Sequence, residues 1–263
     1  MTVGDLDHGE SRRVANENLV AAFDLVREHL GRPAWAHGVF GSVHAIASAH
    51  ELAFYNPILA LEPATTHADV RAAVAWMDGQ SIPPSVHLAD AAGPDVAAVT
   101  SDLLTDGFTP DEEREPVMIL TPIPAAPAPP AGVAIRIGGA ELAESFYAVY
   151  SAGERFRRTF GPGLLGDPRF RIAALELEGE PVAVAAAARS GATLGVYAVA
   201  TVEHARRRGF GRAVTWAVIE AAARDWASTA AILQSSAMGR PMYESMGFVA
   251  VDTITIFKRP AAA

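Results

Sequence analysis

Not one of the 263 residues is a cysteine. Disulfides, thiolate metal sites and a cysteine nucleophile are therefore all excluded. Long apolar runs are missing as well. None approaches the ~20 residues that a membrane span requires, and the polar, acidic start has no apolar segment of signal-peptide type behind a basic stretch. The expectation is a cytoplasmic protein with no membrane partner. Positive charge is scarce too. The formal net charge is −9, which argues against nucleic acid as the main partner. What is present is a globular composition: half the residues are hydrophobic and 19% are charged. That suffices for one large domain or two small ones with a sizeable core.

The charge is unevenly spread. Residues 1–125 hold 6 Lys and Arg against 18 Asp and Glu, whereas residues 126–263 hold 15 against 12. An acidic, solubilising first half explains the first count but not the arginine cluster of the second. Along the first half, residues 1–16 are polar and read as a frayed terminus. Leu19, Ala22, Phe23, Leu25, Val26 and Leu30 recur with helical spacing over 17–30, and Gly31-Arg32-Pro33 ends the run. Strands are expected within 35–48, 54–61, 85–88 and 116–120. Helices are expected over 66–79, with Thr66 as N-cap and Asp69 as its first-turn acidic partner, and over 94–105.

The stretch Thr121-Pro122-Ile123-Pro124-Ala125-Ala126-Pro127-Ala128-Pro129-Pro130 is too proline-dense for helix or central strand. It reads as a semi-rigid linker. The expected division is an N-terminal domain over 1–120, a linker over 121–132 and a C-terminal domain over 133–263. The second half opens with a strand over 133–137 and a helix over 140–152, then a loop with a short helix over 154–165. A hairpin follows, over 171–177 and 182–188, turning at Glu178-Gly179-Glu180-Pro181.

The most informative stretch spans 194–257. An apolar strand, 194–201, leads through a polar run into Arg206-Arg207-Arg208-Gly209-Phe210-Gly211-Arg212, then an Ala-rich helical pattern over 213–227 and a second apolar strand over 230–233. Two glycines one residue apart let the backbone turn tightly and expose consecutive N–H groups. Those groups stand at a helix start, where four N–H lack intrahelical partners and the dipole is positive. With four arginines added, this is an anion cradle whose charge suits a polyphosphate.

Arg206-Arg207-Arg208-Gly209-Phe210-Gly211 resembles the (Arg/Gln)-x-x-Gly-x-(Gly/Ala) motif of the GNAT superfamily of N-acetyltransferases. Met242-Tyr243-Glu244-Ser245-Met246-Gly247-Phe248 is similar to the family's Leu-Tyr-Glu-Lys-Leu-Gly-Phe-type segment, at the family's spacing. The resemblance covers the second half. It implies an α/β (α+β) fold with a mixed, mostly antiparallel central sheet flanked by helices, and acetyl-CoA as acetyl donor with no metal. It further implies that the main chain of Arg207, Arg208, Gly209, Phe210, Gly211 and Arg212 binds the pyrophosphate, with charge from Arg206 and Arg208. Val199 and Thr201 would offer strand backbone to the pantetheine arm. Tyr243 would protonate the departing thiolate. The family's asparagine seven residues before that tyrosine is Ser236 here, with a shorter reach toward the cofactor. The acceptor would be an amine on a small molecule or peptide; oligomeric state is not legible.

An internal echo suggests two GNAT-like halves. Arg71-Ala72-Ala73-Val74-Ala75-Trp76 resembles Arg212-Ala213-Val214-Thr215-Trp216, and 32 residues separate Trp76 from Phe108 as they do Trp216 from Phe248. The first copy departs where chemistry is expected: Thr65-Thr66-His67-Ala68-Asp69-Val70 has no glycine and no arginine cluster, and Leu103 or a neighbour replaces Tyr243. This half reads as degenerate. Glu154, Glu203 and His204 are base candidates by type, with Glu203 and His204 too near the phosphate loop, and water-mediated deprotonation is the default. Tyr147, Tyr150, Phe156, Phe160 and Tyr197 could line an acceptor pocket or simply form core, and Arg155, Arg157 and Arg158 could attract an acidic acceptor. His37, His44, His50, His67 and His87 form no compact ligand pattern. One alternative reading is a non-catalytic acyl-CoA-binding regulator. Another, a dinucleotide-binding oxidoreductase, lacks its third glycine, since Val214 stands three residues after Gly211.

Overall fold

In a computed structural model, residues 7–150 and 157–259 are described. Their contacts gather into two compact units. One comprises Met1–Asn18, Met118–Leu233 and Pro241–Val249; the other comprises Leu19–Val117, Gln234–Arg240 and Ala250–Ala263.

The first unit is built on a mostly antiparallel sheet. Strands β7 (Val133–Gly138), β8 (Phe170–Leu177), β9 (Glu180–Ser190) and β10 (Thr193–Thr201) pair antiparallel in sequence order. β11 (Ala230–Gln234) then joins β10 in parallel, through helix α6 (Phe210–Trp226) as the crossover. Strand β6 (Glu115–Leu120), whose residues Met118 to Leu120 belong to this unit, lies beside β11. The middle of β9, Val182 to Ala188, consists of five alanines and two valines, and all are buried. Such small side chains let α6 approach the sheet closely, and its Phe210, Val214, Val218, Ile219 and Ala222 complete the core with Ala183, Ala185, Ala187, Leu194 and Val196. The opposite face carries the short helices α4 (Ala143–Val149) and α5 (Pro162–Leu165), with Phe146 fully buried.

The second unit has its own sheet, in the order β1 (His37–Phe40), β2 (Val43–Ile46), β3 (Pro57–Ala60), β4 (Ser85–Ala89), β12 (Val249–Lys258). β3 and β4 are parallel, with α2 (His67–Gly79) between them; α3 (Val96–Thr105) follows β4, and β5 (Thr109–Pro110) pairs with β12. Phe23 of α1 (His8–His29) packs on Phe54 and His87. In each unit, the parallel pair is thus flanked by a strand from the other half of the sequence: β6 beside β11, and β12 beside β4. Lys258 pairs with Asp111 at 2.5 Å, and the Arg259 guanidinium lies 4.8 Å from the Phe108 ring centre.

One expectation changes. The start of the chain is not frayed from residue 8 onward: α1 begins at His8, and Ser11, Ala15, Asn16 and Asn18 are buried. Its inward stripe is small and polar rather than aliphatic, which hides it from a hydrophobic pattern. Ile123 and Ala126 of the proline-rich run pack on the core of the first unit. Within 140–152, the helix is preceded by a 3-10 turn at Ala140–Leu142 and ends at Val149. Glu154, Arg155 and Phe156 lie outside the described residues.

Candidate functional site

The site begins with a failure of pairing. β10 and β11 match only at Thr193–Ala230, Leu194–Ala231 and Gly195–Ile232. Beyond Gly195, β10 runs on for six residues without a partner on β11 in this register. The cause is visible on the other edge. Against β9, Tyr197 pairs with Ala186 and Ala200 with Val184, so one extra residue is inserted in β10. Ala198 takes a left-handed conformation there, at φ +51°. Such a bulge bends its strand, and the bend parts β10 from β11. Val199 to Thr201, the expected pantetheine strand, lie on the parted segment, and all three are half-buried.

The loop after β10 leads to the start of α6. Gly209 is its N-cap at φ +79°, a conformation that penalises a Cβ, and no side chain caps the helix. The Ala213 N–H is the first to reach back, to Gly209 O at 3.0 Å. The N–H groups of the three preceding helical residues have no intrahelical acceptor. A Cβ on Gly211 would lie 3.1 Å from Thr201 Oγ1 and 3.6 Å from Met242 Sδ. The helix start, the end of β10 and the segment carrying Tyr243 therefore meet at Gly211. Arg206 donates from Nε to Thr201 O at 3.1 Å, and the Arg208 guanidinium lies 4.7 Å from the Phe210 ring centre. Arg206, Arg207, Arg208 and Arg212 are exposed. Phe210 divides its roles: its side chain is core, 3% exposed, leaving only its main chain for an anion.

Tyr243 stands in α7 (Arg240–Ser245), 8% exposed, with its ring edge-on to Phe248 at 5.8 Å. Burial raises its phenol to about 12, so the group is protonated at neutral pH and has a proton to give. Ser236 is exposed, and its hydroxyl accepts from Gly239 N at 3.2 Å in the turn that leads into α7. Glu203 and His204 lie exposed in the 3-10 turn after β10. Tyr147 donates to Phe160 O at 2.5 Å and carries Arg157 on its ring face, 4.6 Å from the centre. Phe146 stacks on Tyr150, and Phe160 meets Phe146 at a tilt and Tyr150 edge-on. Sequence reasoning missed one contact outside this site: His37 Nε2 meets His44 Nδ1 at 3.0 Å, with Asp24 3.3 Å from the other His37 nitrogen. Burial pushes the Asp24 carboxyl up, but hydrogen bonds from His37 and Arg27 outweigh it and hold it at about 2. Among the described residues, no group of three His, Asp or Glu could hold a metal ion.

Residues 132–259 match the model of the acetyltransferase (GNAT) domain. This part of the chain is a GNAT domain. A search of curated proteins finds no match. Solved structures agree on the fold. A GCN5-related N-acetyltransferase from Kribbella flavida is 24% identical, with a TM-score of 0.73 and 97% of each chain covered. A tandem GNAT protein from the clavulanic acid biosynthesis pathway is 13% identical, at a TM-score of 0.59, covering 94% of this chain and 96% of that one. A GCN5-related N-acetyltransferase from Sphaerobacter thermophilus is 18% identical, with a TM-score of 0.52 over 74% and 68%. The mixed, mostly antiparallel sheet flanked by helices is thus the GNAT architecture, which supports acyl transfer from acetyl-CoA. No described helix is long and apolar enough to cross a membrane.

Proposed function

We propose that the GNAT domain binds acetyl-CoA between the parted strands and transfers its acetyl group to a primary amine. One observation carries this reading: an uncapped, arginine-ringed helix start abuts the end of a strand that has left its parallel partner. The main-chain N–H groups from Arg207 to Arg212 would take the pyrophosphate, and the backbone of Val199 and Thr201 the pantetheine amides. The amine nitrogen attacks the thioester carbonyl carbon, while a strand N–H near Val199 stabilises the oxyanion. The C–S bond then breaks and Tyr243 delivers its proton to the thiolate. The proton lost by the amine leaves through water. Ser236 would serve the cofactor indirectly, by shaping the turn before α7. Residues 1–120 are read as a degenerate GNAT-like copy without a catalytic role.

The test is calorimetric titration of the protein with acetyl-CoA, followed by thiol release with a panel of primary amines. Because the chain has no cysteine, every thiol that appears comes from the cofactor. Binding with amine-dependent release is expected. Failure to bind sinks the reading, and binding without release from any amine leaves only a carrier of acyl-CoA.

A further inference from the structure

The bulge in β10 has an anchor that comes from the start of the chain. Asn18 of α1 is 1% exposed. Its amide donates to Thr193 Oγ1 at 3.1 Å, and its Oδ1 accepts from the Tyr197 hydroxyl at 2.8 Å. Thr193 in turn donates to Ser190 O at 2.8 Å. Each donor in this chain has one acceptor, so the direction of all three bonds and the orientation of the Asn18 amide are determined. Burial raises the Tyr197 phenol well above its ordinary range, which keeps it a donor. Gly195 lies beneath: a Cβ there would collide with both Asn18 Oδ1 and the Tyr197 ring. Glycine at 195 is therefore required by the side chain that folds over it.

Tyr197 is the residue before Ala198, whose φ of +51° is disfavoured for a residue with a Cβ. A strained conformation persists only where its surroundings over-determine it. Here the strain is held from both sides, by Asn18 through Tyr197 and by the resumed pairing of Ala200 with Val184. We propose that Asn18 is a positioning residue for acetyl transfer, which holds Tyr197 and thereby the bulge that presents the Val199 backbone. This rests on the function proposed above. It gives α1 a task in the reaction, although α1 lies outside the matched domain.

The experiment is a double-mutant cycle with Asn18→Leu and Tyr197→Phe. It is read by kcat, by KM and Kd for acetyl-CoA, and by amide hydrogen exchange over residues 197–201. Asn18→Leu should lower kcat about tenfold, since small misplacements of a reacting geometry are costly. KM and Kd for acetyl-CoA should move by less than about twofold, because the phosphate loop is untouched. The double variant should be no slower than Tyr197→Phe, and exchange over 197–201 should quicken in both single variants. Should Asn18→Leu fail to fold, Asn18→Ser, too short to reach Tyr197, enters the same cycle. Unchanged kcat, additive losses or unchanged exchange would each overturn the proposal. A wild type that ignores acetyl-CoA sinks the proposed function instead, and exchange alone then judges the hold of Asn18 on the bulge.

Discussion

The chain contains two helix starts in equivalent places, and they are treated in opposite ways. Each follows a strand that is parallel to the next: α2 between β3 and β4, α6 between β10 and β11. Each of the next helices ends in the same turn. Gly107 and Gly247 both have positive φ, Phe108 N donates to Leu103 O at 2.9 Å, and Phe248 N donates to Tyr243 O at 3.1 Å. The shared bond identifies Leu103 as the counterpart of Tyr243. At the start of α2, however, Thr66 and Asp69 form a reciprocal capping box, and Asp95 accepts from His67 N at 3.2 Å. β3 stays paired with β4 through Ala60–Leu88, and six residues bridge Ala60 to His67. The second-half equivalent bulges, parts from its partner and uses 14 residues between Gly195 and Phe210. One helix start is closed by its own carboxylates and the other is left open among guanidiniums. The frame is common, and the two starts differ in what caps the helix.

The largest effect is expected at Gly211. Gly211→Trp should weaken acetyl-CoA binding more than about hundredfold, a loss above about 2.7 kcal/mol, because the indole must displace Thr201 and Met242. Calorimetry checks this, and retained affinity would show that the open start is not the binding site. Next in size is Tyr243→Phe, which copies the phenyl packing of the wild type but removes the donor. It should leave acetyl-CoA affinity within about twofold and lower kcat about hundredfold, the usual reach of a general acid. Equal kcat would make Tyr243 no more than the core residue that Leu103 is.

Much of this is legible in the sequence, for physical reasons. Alternation and helical spacing located nearly every strand and helix, and the Thr66–Asp69 box was visible as residue types three apart. Gly209 and Gly211 were legible because left-handed backbone and close approach both select glycine. Three things were not. The first half of α1 carries serine, alanine and asparagine inward, so no aliphatic stripe marks it. The exchange of β6 and β12 depends on which of two similar apolar strands wins each neighbour, and local sequence does not encode that choice. The bulge at Ala198 carries no glycine, and its anchor, Asn18, stands 179 positions before Tyr197.

Acid should weaken the second unit. His87 is fully buried beside Phe23 and Phe54, and burial, together with the charge of Lys258, depresses its imidazole to about 3. Its folded value lies below the unfolded value near 6.5, so the unfolded chain binds the proton more readily. Stability from this group is complete above about pH 6.5 and is lost as pH falls toward 3. Between pH 7 and 5 the loss should be about 2 kcal/mol. Denaturant unfolding at the two pH values checks it, and His87→Leu should flatten the dependence. An unaltered slope in that variant would place the acid sensitivity elsewhere.

The smallest expected effect tests the closed start. Thr66→Ala leaves Asp69 in place but removes the oxygen that accepts from Asp69 N at 3.2 Å. Loss of an N-cap costs about 1 kcal/mol, so the melting temperature should fall by a few degrees at most. Acetyl-CoA affinity and kcat should not change, since a capping box that serves only α2 has no ligand to give up. A shift in affinity beyond about twofold would mean that the capped start takes part in cofactor binding after all. Opposite capping would then no longer distinguish the two starts in the proposed function, and the acidic residues around α2 would have to be treated as part of the site.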